Sequence, residues 1–299
     1  MKTNGIFLLI MAVEFIVAGC DSSKKEEPEE IKIPIRISST MTKVSESQFE
    51  KGDAIGLYVV NGKSNGTGSW NPGVLNASGN YLTNVKYTYD GAWSAARQYY
   101  WADEETPAEF FCYFPYIANI TNVATVPISV PADQSTKTKF CSGEILWGET
   151  ELIKPTENIV NINTNHRTAQ LSITFAPGKG FNDESLKTSL SEVKVANLKC
   201  SGVLDLNDGT LSATGDASDI IPYFDGTTYR AMVIPQSIES KALVTFKIDG
   251  EEKELVQSIN FTSNSRKKCT ITLNRVSEGI NVGIDDWEED DTDYGGILN

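Results

Sequence analysis

The 299-residue chain contains one histidine, His166. That scarcity excludes a multi-histidine metal centre and makes any histidine-dependent triad rest on one residue. His166 stands in Asn165-His166-Arg167-Thr168, just before an apolar strand, with no partners at a suitable spacing, so it reads as structural. The cysteines show no CxxC spacing, which argues against a zinc site. HExxH does not occur, and long amphipathic helix patterns are absent. Basic residues are also few: 26 Lys and Arg against 40 Asp and Glu, a net charge of −14. This balance disfavours nucleic acid or an anionic membrane surface as the main partner. No catalytic constellation, metal site or cofactor motif emerges, and the chain is not read as an enzyme.

The acidity is concentrated at the ends. Residues 1–30 hold six acids and three bases, and residues 285–299 hold seven acids and no base. The acids of this tail do not fall at the alternating positions before a glycine that a calcium loop needs. The body from Ile31 to Ile284 has 27 acids and 23 bases, close to neutral.

Residues 1–20 read as a lipoprotein signal peptide. A weakly basic start precedes an apolar run, Gly5–Ala18, too short for a permanent membrane span, and Val17-Ala18-Gly19-Cys20 forms a lipobox. Cys20 is the predicted lipidation site, giving a membrane anchor. Residues 21–30 are charged and lack core-forming side chains, so they read as a flexible tether. The acid-rich stretch behind Cys20 resembles the export signals of Bacteroidetes surface lipoproteins, which implies an outward-facing location on the outer membrane; a tether facing the periplasm is the alternative. Cys112, Cys141, Cys200 and Cys269 are expected as free thiols.

The body reads as strands and turns. Ile31, Ile33, Ile35 and Ile37 alternate with Lys32, Pro34, Arg36 and Ser38, the pattern of a half-buried strand. Pro34 cannot donate to a ladder and places this strand at a sheet edge or an irregular end. Ile55, Leu57 and Val59 alternate likewise, as do Phe110, Cys112 and Phe114; Leu171, Ile173 and Phe175; and Val244, Phe246 and Ile248. The clearest hairpin runs over Ala242–Ile248, turns at Asp249-Gly250 and returns through Glu254–Ile259. Asp183–Leu190 is the one short helix expected. The predicted class is all-β, with two tandem β-sandwich domains, 31–160 and 161–299 with its acidic tail, meeting near Glu157–Asn165.

A series of motifs then runs along the mature chain. Phe49-Glu50-Lys51-Gly52-Asp53-Ala54-Ile55-Gly56-Leu57-Tyr58 is followed by Tyr99-Tyr100-Trp101 and Phe110-Phe111-Cys112-Tyr113-Phe114-Pro115-Tyr116. Next come Ile145-Leu146-Trp147-Gly148, His166-Arg167-Thr168-Ala169-Gln170-Leu171 and Ile234-Pro235-Gln236, closing near Trp287 and Gly296. In this order, behind a lipobox, they resemble the fimbrillin family of Bacteroidetes pilus subunits and related surface lipoproteins. The resemblance implies two transthyretin-like sandwiches and a precursor whose lipidated end and first strand are removed by a trypsin-like protease. A strand from the next subunit would then fill the open groove.

On that scheme the exchanged strand holds Ile31, Ile33, Ile35 and Ile37, and Arg36 and Lys43 are the candidate cleavage points. Ile280, Val282 and Ile284, alternating with Asn281, Gly283 and Asp285, form the candidate donor strand. The implied partners are other fimbrial subunits, the outer membrane through Cys20, and a host or bacterial surface receptor. A monomeric glycan-binding lipoprotein using Trp70 or Trp93 is the alternative. A glycosidase would need two carboxylates facing across a cleft.

Overall fold

The computed structural model describes residues 32–39, 49–277, 279–285 and 288–289. Cys20, Ile31, Lys43 and Trp287 lie outside them. The body from Lys32 onward clusters as one compact unit. Its first strands are β1 Ile37–Ser39, β2 Ala54–Asn61, β3 Lys63–Ser64, β4 Trp70–Asn71, β5 Leu82–Tyr89 and β6 Trp93–Ala95. They continue as β7 Ala108–Phe114, β8 Val126–Ser129, a short helix α1 Lys137–Cys141, β9 Leu146–Glu149, β10 Val160–Ile162 and β11 Asn165–His166. Then follow β12 Ala169–Pro177, α2 Asp183–Ser189, β13 Leu190–Leu204, β14 Leu211–Ile220, β15 Tyr223–Phe224 and β16 Tyr229–Val233. The last are β17 Gln236–Ile248, β18 Glu251–Phe261, β19 Arg266–Val276, β20 Gly279–Ile284 and β21 Glu288–Glu289. The all-β class expected from the alternating patterns is what the chain adopts.

One six-stranded sheet runs in the order β11-β9-β7-β2-β5-β6. Its centre, β2, is buried on both faces, not the half-buried strand that Ile55, Leu57 and Val59 suggest. Those three enter one core with Phe110, Cys112 and Phe114, while Tyr58 and Val60 enter a second with Phe111, Tyr113 and Trp147. Ala54–Val60 is accordingly a nearly continuous apolar run, as strands covered on both sides are.

Two further sheets, ordered β15-β16-β12-β19-β20 and β14-β13-β17-β18, send Leu171, Ile173, Ile271 and Leu273 from one side to meet Val195, Leu243, Val244 and Phe246 from the other. This is sheet-on-sheet packing, a sandwich. The Asp249-Gly250 hairpin forms as expected, with φ of 53° and 82° at its two turn residues. α2 forms at the expected place, capped reciprocally by Asn182 and Ser185.

Two parallel pairings, β12 with β19 and β1 with β10, join segments far apart in sequence. β8 pairs with β13 through Val126–Ser129 against Ser201–Leu204. It thereby stitches the chain before residue 130 onto the later sandwich. The stretch 157–165, expected as a boundary, contains β10, the partner of the first strand.

Candidate assembly site

The first described segment, Lys32–Ser39, is gripped from two flanks. On one flank Ile35 N donates to Tyr99 O and Trp101 N donates to Ile33 O, both at 2.9 Å, around an antiparallel bridge between Pro34 and Tyr100. The Gln98 side chain adds a bond to Ile35 O at 3.0 Å. On the other flank Val160 N donates to Arg36 O at 2.8 Å, and β1 continues alongside β10 in parallel register, Ile37 beside Val160. Backbone groups of successive residues in a strand point to opposite flanks. Ile33 and Ile35 therefore face Tyr99–Trp101, and the donor that Pro34 lacks would have faced the flank where β10 has not yet begun. The sequence expectation of an edge or irregular strand finds its form here, with one strand neighbour along each stretch.

The side chains face the opposite way from the charges. Ile35 is 3% exposed, and Ile33 and Ile37 are half-buried against Leu57, Phe110, Trp101 and Ile162. Lys32 and Arg36 are exposed. Burial of the three isoleucines contributes about 3–6 kcal/mol. The floor beneath is rich in aromatics: Trp101 meets Phe110 edge-on at 5.4 Å, and Phe49 packs against Trp93 and Phe114 at 4.9 and 5.7 Å. Without the segment, this floor would face water, and Tyr99 O, Trp101 N and Val160 N would lose their partners. An extended strand with an apolar residue at every second position would restore both.

Such a pattern recurs at the other chain end. β20 lies on the edge of its own sheet, antiparallel to β19, with Ile284 opposite Ile271, Val282 opposite Leu273 and Ile280 opposite Arg275. Ile280, Val282 and Ile284 are half-buried against the sandwich core. β21 extends the same edge beside Lys267 and Lys268. The first segment and β20 thus belong to separate sheets, each with its alternating apolar residues packed on a core.

Arg36 donates from Nη1 to Glu157 O at 3.3 Å, so its backbone and its head group are both engaged with the segment before β10. Trp93, a candidate glycan platform, is half-buried in the aromatic floor, and Trp70 is half-buried in the β3–β4 ribbon. The four cysteines of the body are free thiols. Burial raises the Cys112 thiol strongly and pushes Cys269 up to about 12, which makes both poor nucleophiles.

His166 is buried with Nδ1 3.4 Å from Oε1 of Glu144, itself fully buried. Arg167 stacks on Trp147 at 4.7 Å, and burial lowers its pKa below the usual arginine value. No group of His, Cys, Asp and Glu able to hold a metal occurs among the described residues. The frame around the first strand was not legible in the sequence: Tyr99-Tyr100-Trp101 stood out only as a motif, and Val160–Ile162 is too short to advertise a partner.

The profile of the family described as fimbrillin-like matches residues 42–287. The chain is 24% identical to a Bacteroides uniformis protein named "Putative fimbrium subunit Fim1C", over 96% of each chain. Among solved structures, a "putative cell adhesion protein" of Bacteroides uniformis superposes with a TM-score of 0.63 at 20% identity, covering 86% of this chain and 98% of the other. Another so described, from Bacteroides ovatus, gives a TM-score of 0.67 at 16% identity, covering 87% and 98%.

Proposed function

The chain belongs to the fimbrillin-like family, and from that premise we propose that it is a structural subunit of a surface fimbria, assembled by exchange of its first strand. The observation that carries the reading is the seating of Lys32–Ser39: an extended segment ahead of the body, held between Tyr99–Trp101 and β10 over an apolar floor. Its removal leaves a groove whose unmet hydrogen bonds and apolar floor suit strand addition. Ile280, Val282 and Ile284 have the matching period and size, so β20 is the donor in this reading. The two halves of the body are then its two transthyretin-like sandwiches. Cys20 carries the lipid that holds the precursor on the outer membrane, and the assembled fimbria supports adhesion to a host or bacterial surface. The role is structural, not enzymatic.

A protease needs an extended peptide free of other partners. Arg36 is committed to β10 and Glu157, so a cut there requires local opening first. Lys43, after the strand, is the favoured site.

The test is limited digestion of the chain from Asp21 with a trypsin-like protease, followed by sequencing of the new N-terminus and electrophoresis without boiling. The expected result is a cut at Lys43, loss of the first strand and boil-sensitive ladders. A cleaved chain that has shed its first strand yet stays monomeric would overturn the exchange mechanism.

A further inference from the structure

A concavity of about 390 Å³ lies at the far end of β2, lined by Val60, Asn61, Lys63, Gly73, Asn80 and Tyr81 among others. It belongs to neither the first-strand groove nor β20. Its wall can lie close against β2 because residue 73 is glycine: a Cβ there would meet Val60 Cγ1 at 2.3 Å. The turn that closes it is braced from within. Asn76 N donates to Asn80 Oδ1 at 3.0 Å, and Asn80 Nδ2 donates to Asn76 O at 2.6 Å. Tyr81 is 39% exposed, yet its hydroxyl donates to Tyr100 O at 2.7 Å. The ring is thus fixed in position while part of it meets solvent.

The polar groups left over have a definite character. Asn76 Nδ2 is taken by Val74 O, which leaves its Oδ1 as an acceptor. The Asn61 amide and the Lys63 ammonium make no hydrogen bond or ion pair within the protein among the described residues. The lining contains one cation and no acid. Glu109, not itself in the lining, pairs with Val60 across the β2–β7 ladder, and its carboxylate accepts the Gly73 N–H at 3.2 Å. A preorganised aromatic ring, an amide able to donate and accept, and a free ammonium suit a pyranose ring: apolar on its C–H face, hydroxylated at its rim. The ammonium selects a carboxylate on that ring. We propose that this concavity binds a hexuronate residue of a glycan. The inference does not depend on strand exchange and concerns what the subunit grips, not how it assembles.

The probes are D-glucuronate, a glucuronate-terminated oligosaccharide and D-glucose, titrated into the intact chain by saturation-transfer NMR and calorimetry. Lys63→Gln and Asn61→Ala are compared with the parent, with thermal midpoints confirming that both remain folded. Saturable glucuronate binding is expected, weakened about tenfold by Lys63→Gln, with glucose binding more weakly than glucuronate. Equal binding of glucose and glucuronate would remove the carboxylate assignment. Undiminished binding in both variants, or no saturable binding of either uronate probe, would overturn the site.

Discussion

Gly56 stands where β2 passes β7, and a Cβ built on it would lie 2.1 Å from Cε1 of Tyr113. The ring cannot swing aside: its hydroxyl donates to Asn84 Oδ1 at 2.7 Å and accepts from Ile117 N at 3.1 Å. Gly56→Ala is therefore expected to destabilise by about 2–3 kcal/mol, seen as a lower denaturant midpoint at unchanged slope. Glu109 and Glu149 are perturbed in the other sense. Partial burial, chiefly, raises both carboxyl pKa values above the usual 4.5; at Glu109 the Gly73 hydrogen bond opposes this while Glu149 and Glu151 add to it, and at Glu149 the charge of Glu151 adds to it while Arg167 opposes. A carboxyl whose pKa is higher folded than unfolded costs stability once pH rises past its unfolded value. Glu109→Gln, which keeps an acceptor for Gly73 N–H, should then raise the melting midpoint at neutral pH. That gain should shrink as pH falls through the carboxylate range; a gain independent of pH would refute the charge argument.

At the level of elements, the two terminal strands are the most instructive. Truncation of the chain after Val276 is expected to leave a folded monomer, because the apolar side chains of β20 are only half-buried. The same truncation should abolish the ladders that follow proteolysis, and ladders that persist would place the donor elsewhere. Much of this layer was legible beforehand. The strict alternation from Ile31 to Ile37, the Asp249-Gly250 turn and the short helix expected over Asp183–Leu190 are local signals, fixed by period and turn chemistry. The motif Gly52-Asp53-Ala54-Ile55-Gly56 has a physical reading too: Gly52, at φ 100°, turns the chain into β2, and Gly56 makes room for Tyr113. The pairing of β8 with β13, the parallel alignment of β12 with β19 and the role of β10 were not legible. Each depends on a partner at least 70 residues away, or more than 100 for β10, and nothing in four or eight residues specifies which partner that is. α1, only five residues long, is below the length at which helical period becomes visible.

Across the whole molecule, the early and late parts of the body share a core. Trp147 donates from Nε1 to Leu206 O at 2.9 Å, carries Arg167 on its ring and packs with Leu204, Leu211 and Ile234. With the β8–β13 ladder, this predicts that the body unfolds in one calorimetric transition. Trp147→Ala, costing about 3–5 kcal/mol, should broaden or split that transition; two transitions in the parent would mean the shared core is energetically minor. The two-flanked seating of Lys32–Ser39 has a mechanical consequence. Its hydrogen bonds lie across the strand, so tension applied along the strand at Lys32 meets the bonds to Tyr99, Trp101 and Val160 side by side. They must yield together in shear, where a strand peeled sideways would lose them one after another. A strand in this groove, native or incoming, resists lengthwise force best, and axial pulling is the load that a filament fixed at one end transmits between its links.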